Sequence, residues 1–293
     1  MSAPRCVALV CNRERPVPAE LVATIVDACR ARGIETLLTS PPAPHPDHLQ
    51  QMNLAELIAR ADLIITAGGD GTLLSVAPLL VNTDKTLWGI HVGRLGYLTD
   101  ITPDELDSAL PAVFDGSARI ERLEFIAATL QRTTGEPTSA LALNEIAVES
   151  AGSGRMVSLD VTVQGERMAV VEGNGVLIAT PAGSTAYNLA AGGPILLAGA
   201  EALVINPICP HTLTYRPVIV ASRSEIVIQP LSDRGAPRLV ADGRVIGETL
   251  GPDCRIVIRG SGRHLRMLKT SRRSSFDILR EKLGWGNPRG EGR

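Results

Sequence analysis

The chain has 293 residues, a formal net charge of −2 and a hydrophobic content of 44%. This length is sufficient for one large domain or two ordinary ones. The small negative charge provides no basic field that would attract nucleic acid or an anionic membrane, and no apolar run approaches the roughly 20 residues needed to span a bilayer. The composition therefore predicts a globular protein with neither a nucleic-acid nor a membrane partner.

Cysteine usage indicates a reducing compartment. The five cysteines are odd in number, and none of them has the Cys-x-x-Cys spacing of a zinc or redox site. The first residues, Met1–Arg5, lead into a strand-like segment without the apolar stretch of a secretory signal. We therefore predict reduced thiols in a cytoplasmic protein.

Apolar strand patterns alternate with helical patterns in the first part of the chain. Such alternation favours a parallel sheet flanked by helices. The predicted strands are Cys6–Cys11, Glu35–Thr39, Asp62–Ala67 and Leu87–Val92. The predicted helices are Ala19–Arg32, Leu49–Arg60, Thr72–Val81 and Pro103–Phe114. Phosphate-binding turns of such sheets lie at the carboxyl ends of the strands.

The pattern changes near residue 120, where short β-branched runs separated by glycine turns begin. They favour a mostly antiparallel β domain. The clearest runs are Val157–Val163, Val176–Ala179, Val218–Val220, Glu225–Gln229 and Arg255–Arg259, and a helical pattern follows at Phe276–Leu283. We therefore predict an α/β domain over residues 1–119, completed by residues 270–293, and a β-rich, sandwich-like domain over residues 120–269.

The most informative motif is Gly68-Gly69-Asp70-Gly71-Thr72, which follows the apolar run Leu63–Ala67 and opens a helical pattern. Backbone N–H groups at such a turn bind anions, and glycine lets a phosphate approach the backbone closely. A carboxylate there repels phosphate unless it holds a metal ion or takes a proton from a hydroxyl. Asp70 therefore indicates phosphoryl transfer rather than simple phosphate binding. No Walker-type lysine lies beside the turn, so a divalent cation has to supply positive charge.

A second cluster of small and hydroxylated residues lies at Gly173–Tyr187. Ser184, Thr185 and Tyr187 supply hydroxyls there, and the small residues let a flat ligand lie against the backbone. The alternative interpretation is a tight connection between a strand and a helix with ordinary caps. The residues alone leave both interpretations open.

A polar pair, Asn144-Glu145, interrupts the apolar run Leu141–Val148. Burying a carboxylate is unfavourable unless it is paired or bonded to a ligand, and a carboxylate beside an amide suits the diol of a ribose. A polar strand face at a bend is the alternative. Asp242-Gly243 is typical of a hairpin turn and His91 of a structural histidine, whereas Arg94 could face a phosphate.

These elements together resemble the NAD kinase family. The motifs that carry the resemblance occur in order along nearly the whole chain: GGDGT at Gly68–Thr72, GRLGYLTD at Gly93–Asp100, NE at Asn144-Glu145, TPAGSTAY at Thr180–Tyr187, AAGGP at Ala190–Pro194, PICPHTL at Pro207–Leu213, RPV at Arg216–Val218 and KLGWG at Lys282–Gly286. GGDGT alone is shared with lipid kinases and phosphofructokinases. TPxGSTAY together with NE and the C-terminal motif is much narrower.

The resemblance implies an NAD kinase/diacylglycerol kinase-like fold with an α/β nucleotide domain and a β-rich domain. The activity it implies is transfer of the γ-phosphoryl group of ATP to the adenosine 2′-hydroxyl of NAD, with Mg²⁺. Some members also accept inorganic polyphosphate. Members form dimers or tetramers, so the resemblance implies a homodimer or homotetramer as well.

The resemblance also implies roles for individual residues. Asp70 would be the general base on the ribose hydroxyl. The phosphates would be held by Gly68, Gly69, Gly71 and Thr72, with Arg94 as a further candidate. The adenosine side of NAD would be bound by Asn144 and Glu145, with Thr185, Ala186 and Tyr187 at the adenine-ribose pocket, and Ser184 is a further candidate for cofactor binding.

Three positions depart from the family pattern. Asn174 stands where an aspartate is usual, Ala182 where a threonine or serine is usual, and His91 where an asparagine is usual. The first two border the nicotinamide end of the dinucleotide in the family; Asn174 carries no charge to favour a cationic pyridinium, and Ala182 has no hydroxyl.

The changes at Asn174 and Ala182 motivate an alternative function. This is a divergent kinase of the same fold that phosphorylates a ribose hydroxyl of another nucleotide or nucleoside. A non-catalytic sensor that binds dinucleotides is a third hypothesis, but a sensor has no need of the base that Asp70 supplies.

Overall fold

The computed structural model describes residues 3–12, 17–39, 53–93, 96–152 and 154–285. The chain forms two compact units. The first unit comprises residues 1–122 together with 265–293, and the second unit comprises residues 123–264. No helix within the described ranges is long and apolar enough to cross a membrane.

The elements are numbered in chain order. The helices are α1 Ala19–Arg30, α2 Leu54–Arg60, α3 Asp70–Val76, α4 Leu106–Phe114, α5 Tyr187–Ala190 and α6 Ser275–Leu283. The strands are β1 Cys6–Cys11, β2 Glu35–Thr39, β3 Leu63–Gly68, β4 Thr86–His91, β5 Arg119–Arg132, β6 Thr138–Ala142, β7 Glu145–Ser150, β8 Val157–Val163, β9 Glu166–Gly173, β10 Gly175–Ala179, β11 Ala202–Ile208, β12 Val218–Ala221, β13 Ile226–Pro230, β14 Pro237–Ala241, β15 Arg244–Gly247 and β16 Cys254–Lys269.

The first unit is built on a parallel sheet, as predicted, and the strands lie in the order β2-β1-β3-β4. β1, β3 and β4 are buried throughout because helices cover both faces of the sheet. Trp88 of β4 packs in the core with α1 and α4. The next residue, Gly89, faces the other way, where an added Cβ would lie 3.0 Å from Leu73 of α3. The sheet thus presents the carboxyl ends of β3 and β4, followed by Gly69 and Val92, at one edge.

Two helices of this unit begin differently from the prediction. The helix predicted over Thr72–Val81 begins at Asp70, because the extended Gly69 caps it and an acidic residue is favourable in the first turn; it narrows to a 3₁₀ turn at Ala77–Leu80. The helix predicted from Pro103 starts as a 3₁₀ turn, held by a capping box of Thr102 and Glu105. The predicted start of α2 lies outside the described residues.

The second unit contains two antiparallel arrays whose inner faces form one core, which agrees with the predicted β-rich fold. One array includes β13, β8 and β9. The other is a six-stranded sheet in the order β12-β11-β10-β7-β14-β15. Alternate residues of β7, such as Ile146 and Val148, point into the core, and Glu145 and Glu149 point to the opposite face. β16 is far longer than the predicted Arg255–Arg259 because it pairs with β13 near its start and with β4 near its end.

Candidate active site

The glycine turn after β3 combines a tightly packed residue with two open ones. A Cβ on Gly68 would overlap the Thr72 hydroxyl and lie 3.1 Å from the Asn12 Cβ. The Thr72 hydroxyl in turn accepts a hydrogen bond of 3.0 Å from the Asn12 side-chain amide. Gly69 and Gly71 have no atom within 4 Å of an added Cβ among the described residues. Gly68 and Thr72 therefore hold the turn together, and Gly69 and Gly71 leave backbone that a phosphate can approach.

Asp70 is held by the backbone of the segment that follows β4. Its Oδ2 accepts a 2.8 Å hydrogen bond from the N–H of Tyr97, and its Oδ1 accepts bonds of 3.2 Å from the N–H groups of Leu98 and Thr99. A carboxylate oxygen has two lone-pair directions. Within the described part of the chain, Oδ1 is therefore saturated, whereas Oδ2 keeps one direction for another donor. The described residues place no cation in an ion pair with Asp70.

Gly96 and His91 fix the segment that holds Asp70. A Cβ on Gly96 would overlap the Asp70 carboxylate. His91 is buried, and its Nδ1 accepts a 3.1 Å hydrogen bond from the Gly96 N–H, whereas its Nε2 has no hydrogen-bond partner among the described residues. Burial lowers the pKa of His91, an effect that the Lys282 charge reinforces and the Asp70 charge opposes. The imidazole therefore stays neutral and accepts at Nδ1.

The C-terminal helix brings a cation to this segment. Lys282 of α6 lies with its Nζ 5.4 Å from the centre of the Tyr97 ring. Tyr97 is the residue whose N–H binds Asp70, and the same lysine charge acts on His91. Arg94, the cation predicted for this region, lies outside the described residues.

In the second unit, the backbone at the Asn144-Glu145 pair contacts the TPAGSTAY motif. The Thr180 N–H donates to the Asn144 carbonyl at 2.9 Å, and the Thr180 hydroxyl donates to the Leu143 carbonyl at 2.6 Å. Gly183 packs directly on the Asn144 backbone, where an added Cβ would lie 2.6 Å from the Asn144 Cα and even closer to its carbonyl. The small residues of TPAGSTAY thus serve this close packing.

Two polar atoms of the pair have no partner. Asn144 Oδ1 and Glu145 Oε2 are both buried, and neither has a hydrogen-bond partner among the described residues. Buried polar atoms are almost always paired with protein, water or ligand, so these two acceptors are available to an ordered water or a bound ligand. Burial raises the pKa of Glu145 to about 7; the nearby charges of Asp242 and Glu149 add to this, and the Tyr187 backbone N–H opposes it.

A cavity of about 200 Å³ opens beside Glu145. It is lined by Glu145, Ala147, Glu149, Tyr187, Arg238, Val240, Asp242, Gly243 and Val245. Arg238 Nη2 donates to Glu149 Oε1 at 2.8 Å, and the Tyr187 hydroxyl donates to Glu149 Oε2 at 3.3 Å. Glu149 therefore fixes the Tyr187 ring at the wall of the cavity. The cavity is large enough for one sugar or one base, and its carboxylates favour hydroxyl donors over phosphate.

The other hydroxyls of TPAGSTAY bind within the protein. The Ser184 hydroxyl donates to the Pro181 carbonyl at 2.7 Å and accepts from the Leu196 N–H at 3.0 Å. The Thr185 hydroxyl donates to the Ala182 carbonyl at 3.2 Å. Both hydroxyls therefore stabilise the turn that leads to Ala186 and Tyr187, and neither forms a side-chain cap of the helical turns there.

The sequence also matches known protein families. Family models described as the ATP-NAD kinase N-terminal domain and the ATP-NAD kinase C-terminal domain match residues 9–118 and 143–270. This chain belongs to the NAD kinase family. The NAD kinase of Syntrophotalea carbinolica is 36% identical over 278 residues, which cover 94% of this chain and 96% of that protein. The NAD kinase of Methylococcus capsulatus is 35% identical over 284 residues, which cover 97% and 98%.

Solved structures of the NAD kinase family share the fold. An NAD kinase from Archaeoglobus fulgidus in complex with ATP has a TM-score of 0.75 and 26% identity, with 95% of this chain and 98% of that chain covered. Yeast NADH kinase complexed with NADH has a TM-score of 0.87 at 22% identity, with 99% and 90% covered. The second likeness concerns the fold alone.

Two positions that depart from the NAD kinase pattern lie apart in this chain. Asn174 directly precedes β10 and is exposed, whereas Ala182 follows the other end of that strand. Five residues of strand span about 17 Å at ~3.3 Å per residue. One nicotinamide ring therefore cannot contact both side chains of the same chain.

Three residues of the candidate site were missed in the sequence. Gly96 belongs to GRLGYLTD and Lys282 to KLGWG, so the motifs contained them without indicating what they contact. Asp242 forms the predicted hairpin turn between β14 and β15, but its carboxylate also binds the backbone of Asn144 and Glu145. This second contact could not be predicted, because a hairpin turn by itself explains an Asp-Gly pair in the sequence.

Proposed function

We propose that this member of the NAD kinase family transfers the γ-phosphoryl group of ATP to the adenosine 2′-hydroxyl of NAD, giving NADP and ADP. The observation that carries the proposal is the pair of orphaned buried oxygens on Asn144 and Glu145. Both atoms are hydrogen-bond acceptors, which suits the donors of a nucleoside, and the chain also keeps an oriented carboxylate at Asp70.

In the proposed reaction, Asp70 is the general base. Its Oδ2 keeps a lone pair and is fixed by the Tyr97 N–H, so it can take the proton of the acceptor hydroxyl. The freed oxygen then forms a bond to the γ-phosphorus, while the bond from that phosphorus to the β,γ-bridging oxygen breaks and ADP leaves. Gly69 and Gly71 expose the backbone that would lie against the ATP phosphates.

The acceptor would be recognised by the second unit. The Glu145 carboxylate would accept hydrogen bonds from ribose hydroxyls, and Asn144 Oδ1 would accept from a ribose hydroxyl or an exocyclic amine. Tyr187 would cover the base, since Glu149 holds its ring in place. Ser184, Thr185 and Ala186 would shape this pocket through the turn that they form.

Magnesium enters this proposal as part of the MgATP substrate. The structure assembles no group of three or more His, Cys, Asp or Glu side chains for a metal within the ranges it describes. Mg²⁺ commonly keeps several waters and binds phosphates with only one or two protein carboxylates. When bound, it would neutralise the charge that develops on the transferred group.

Lys282 is proposed to add positive charge near the phosphates. We expect Lys282→Met to raise KM for ATP about tenfold, because a charge-assisted hydrogen bond contributes roughly 1.5 kcal/mol, and to leave KM for NAD within twofold. Initial rates at varied ATP and NAD concentrations measure both constants. The control is Arg280→Met on the same helix, whose exposed ion pair with Asp277 contributes little. An equal rise in both variants would remove Lys282 from the proposal.

The second candidate function is phosphorylation of a ribose hydroxyl of another nucleotide or nucleoside. Ala182 favours it, since no hydroxyl reaches the acceptor from that position. Incubation with MgATP, or polyphosphate, and a panel of NAD, NADH, adenosine and AMP, followed by mass spectrometry, separates the candidates. NADP as the main product supports the proposal. A phosphorylated nucleoside with NAD unchanged supports the second function, and binding without any product supports a sensor.

Assembly and location complete the proposal. We propose a homodimer or homotetramer in the cytoplasm. The edge strand β12 pairs only with β11 in the described sheet and exposes Ile219, and Leu213 nearby in sequence is 88% exposed. Asn174 would reach a nicotinamide bound near Ala182 only from a second copy of the chain. All five cysteines are free, which suits a reducing compartment.

A further inference from the structure

Asp242 binds the backbone of the segment that carries the two orphaned acceptors. Its Oδ2 accepts a 2.6 Å hydrogen bond from the Leu143 N–H. Its Oδ1 accepts bonds of 2.8 Å from the Asn144 N–H and 3.0 Å from the Glu145 N–H. The Asp242 N–H returns a bond of 3.1 Å to the Glu145 carbonyl. Four hydrogen bonds therefore join one turn residue to three consecutive residues of another segment.

The backbone at this turn presents the carboxylate in that direction. Asp242 has a φ of +44° and Gly243 a φ of +74°, which is the geometry of a two-residue hairpin turn of the I′ kind. Aspartate tolerates this conformation better than most residues. The turn connects β14 to β15, and β14 pairs with β7, which begins at Glu145. The pairing of β14 with β7 therefore places the carboxylate beside the N–H groups at the start of β7.

We infer that Asp242 is a positioning residue for acceptor binding: through the three N–H groups it fixes Asn144 Oδ1 and Glu145 Oε2 in the orientation in which they meet the acceptor. Strand pairing does not satisfy these N–H groups at the start of β7. Without another acceptor, the N–H groups would have to bind water. A carboxylate satisfies all three at once, and charge-assisted bonds of this kind are stronger than neutral ones. This inference rests on the proposed function for the identity of the acceptor.

Asp242 also acts on Glu145 electrostatically. The groups that face Glu145 are Asp242 from the β14–β15 turn, Glu149 from β7 and Tyr187 from α5, with Arg238 neutralising Glu149. After burial, the Asp242 charge is the largest cause that raises the pKa of Glu145 to about 7. Removal of that charge must lower the pKa of Glu145. A residue that stabilised the fold from a distance would not shift this titration.

The test uses Asp242→Asn in the full-length protein. An asparagine oxygen can keep the bonds from Asn144 and Glu145, but its NH₂ group then opposes the Leu143 N–H. We expect KM for NAD to rise about tenfold or more at pH 8, with KM for ATP and kcat within twofold. Ionised Glu145 accepts a hydrogen bond from a hydroxyl more strongly than protonated Glu145 does, so kcat/KM for NAD should rise with pH through about 7 in the wild type. In Asp242→Asn this rise should move to lower pH.

Asp233→Asn is the matched control, since it removes the same charge from an exposed turn of the same unit. It should leave KM for NAD and the pH profile unchanged. An unshifted pH profile in folded Asp242→Asn, or a shift of equal size in Asp233→Asn, would overturn the inference. Thermal unfolding establishes that each variant is folded.

Amide hydrogen exchange in the unliganded wild type tests the same contact without a variant. The amides of Leu143, Asn144 and Glu145 should exchange roughly 100-fold or more slowly than unstructured peptide amides. Exchange at the unstructured rate would overturn the inference even if Asp242→Asn fails to fold. This measurement needs no substrate, so it stands apart from the proposed function, which is tested by wild-type product formation.

Discussion

Asp70→Asn should lower kcat by roughly 10²–10⁴-fold, the range that a positioned general base contributes. The amide has almost the shape of the carboxylate, but it cannot take a proton from the acceptor hydroxyl. Its oxygen can still accept the N–H groups of Leu98 and Thr99, whereas its NH₂ group would oppose the Tyr97 N–H. The free energy of unfolding should therefore fall by about 1–3 kcal/mol, and KM for ATP should change little. Single-turnover kinetics under saturating substrates measure the chemical step directly.

Gly96→Ala tests whether the position of the Asp70 carboxylate matters when its chemistry is unchanged. The alanine Cβ would overlap the Asp70 carboxylate and lie 2.7 Å from the Thr99 hydroxyl, so the intact carboxylate must move. A displacement of about 1 Å from the reacting atoms can reduce the rate on the order of 100-fold. If Gly96→Ala retains wild-type kcat while Asp70→Asn does not, the exact placement of the carboxylate is unimportant. If both retain it, Asp70 is not the base.

Gly183→Ala should weaken acceptor binding and destabilise the second unit. The added Cβ would meet the Asn144 backbone itself rather than the end of a flexible side chain. Either the Thr180–Thr185 turn or the Asn144-Glu145 pair must therefore shift. Overpacking of this kind lowers the free energy of unfolding by about 1–3 kcal/mol or more. We expect KM for NAD to rise roughly 100-fold, because the shift would break the hydrogen bonds from NAD to Asn144 and Glu145, which contribute about 1.4 kcal/mol each. Calorimetric unfolding and initial rates measure the two effects.

Val161→Ala is the control for Gly183→Ala. Val161 is fully buried in the core of the same unit, on β8, and its truncation should cost about 2 kcal/mol of stability. It lies in the other array of strands, away from Asn144. A rise in KM for NAD as large as that of Gly183→Ala would mean that acceptor binding responds to stability in general, not to the position of the Asn144 backbone.

The sequence predicted most of the fold because the buried strands have a continuous or alternating apolar pattern. β1, β2 and β8 have the predicted bounds, and the parallel sheet and the β-rich unit are both confirmed. The predicted bounds are wrong where tertiary contacts determine the length of a helix or strand. The length of β16 depends on partners along its whole course, and the early start of α3 depends on the conformation of Gly69.

The candidate site was predicted as residue types but not as contacts. Motif order identified Asp70, Asn144 and Glu145, yet the bonds that orient them come from residues distant in the chain. Asp70 is held by N–H groups 27 to 29 positions later, and Asn144 by a carboxylate 98 positions later. Backbone N–H donors have no residue signature, so no local pattern predicts which segment supplies them.

The most direct measurement follows the label of [γ-³²P]ATP in the presence of NAD. The proposal predicts that one labelled phosphate appears on the adenosine 2′-oxygen of the dinucleotide for each ADP formed, and that Asp70→Asn suppresses this label while ATP still binds. ADP release with no labelled dinucleotide, or label on a different oxygen or a different acceptor with NAD unchanged, would contradict the account.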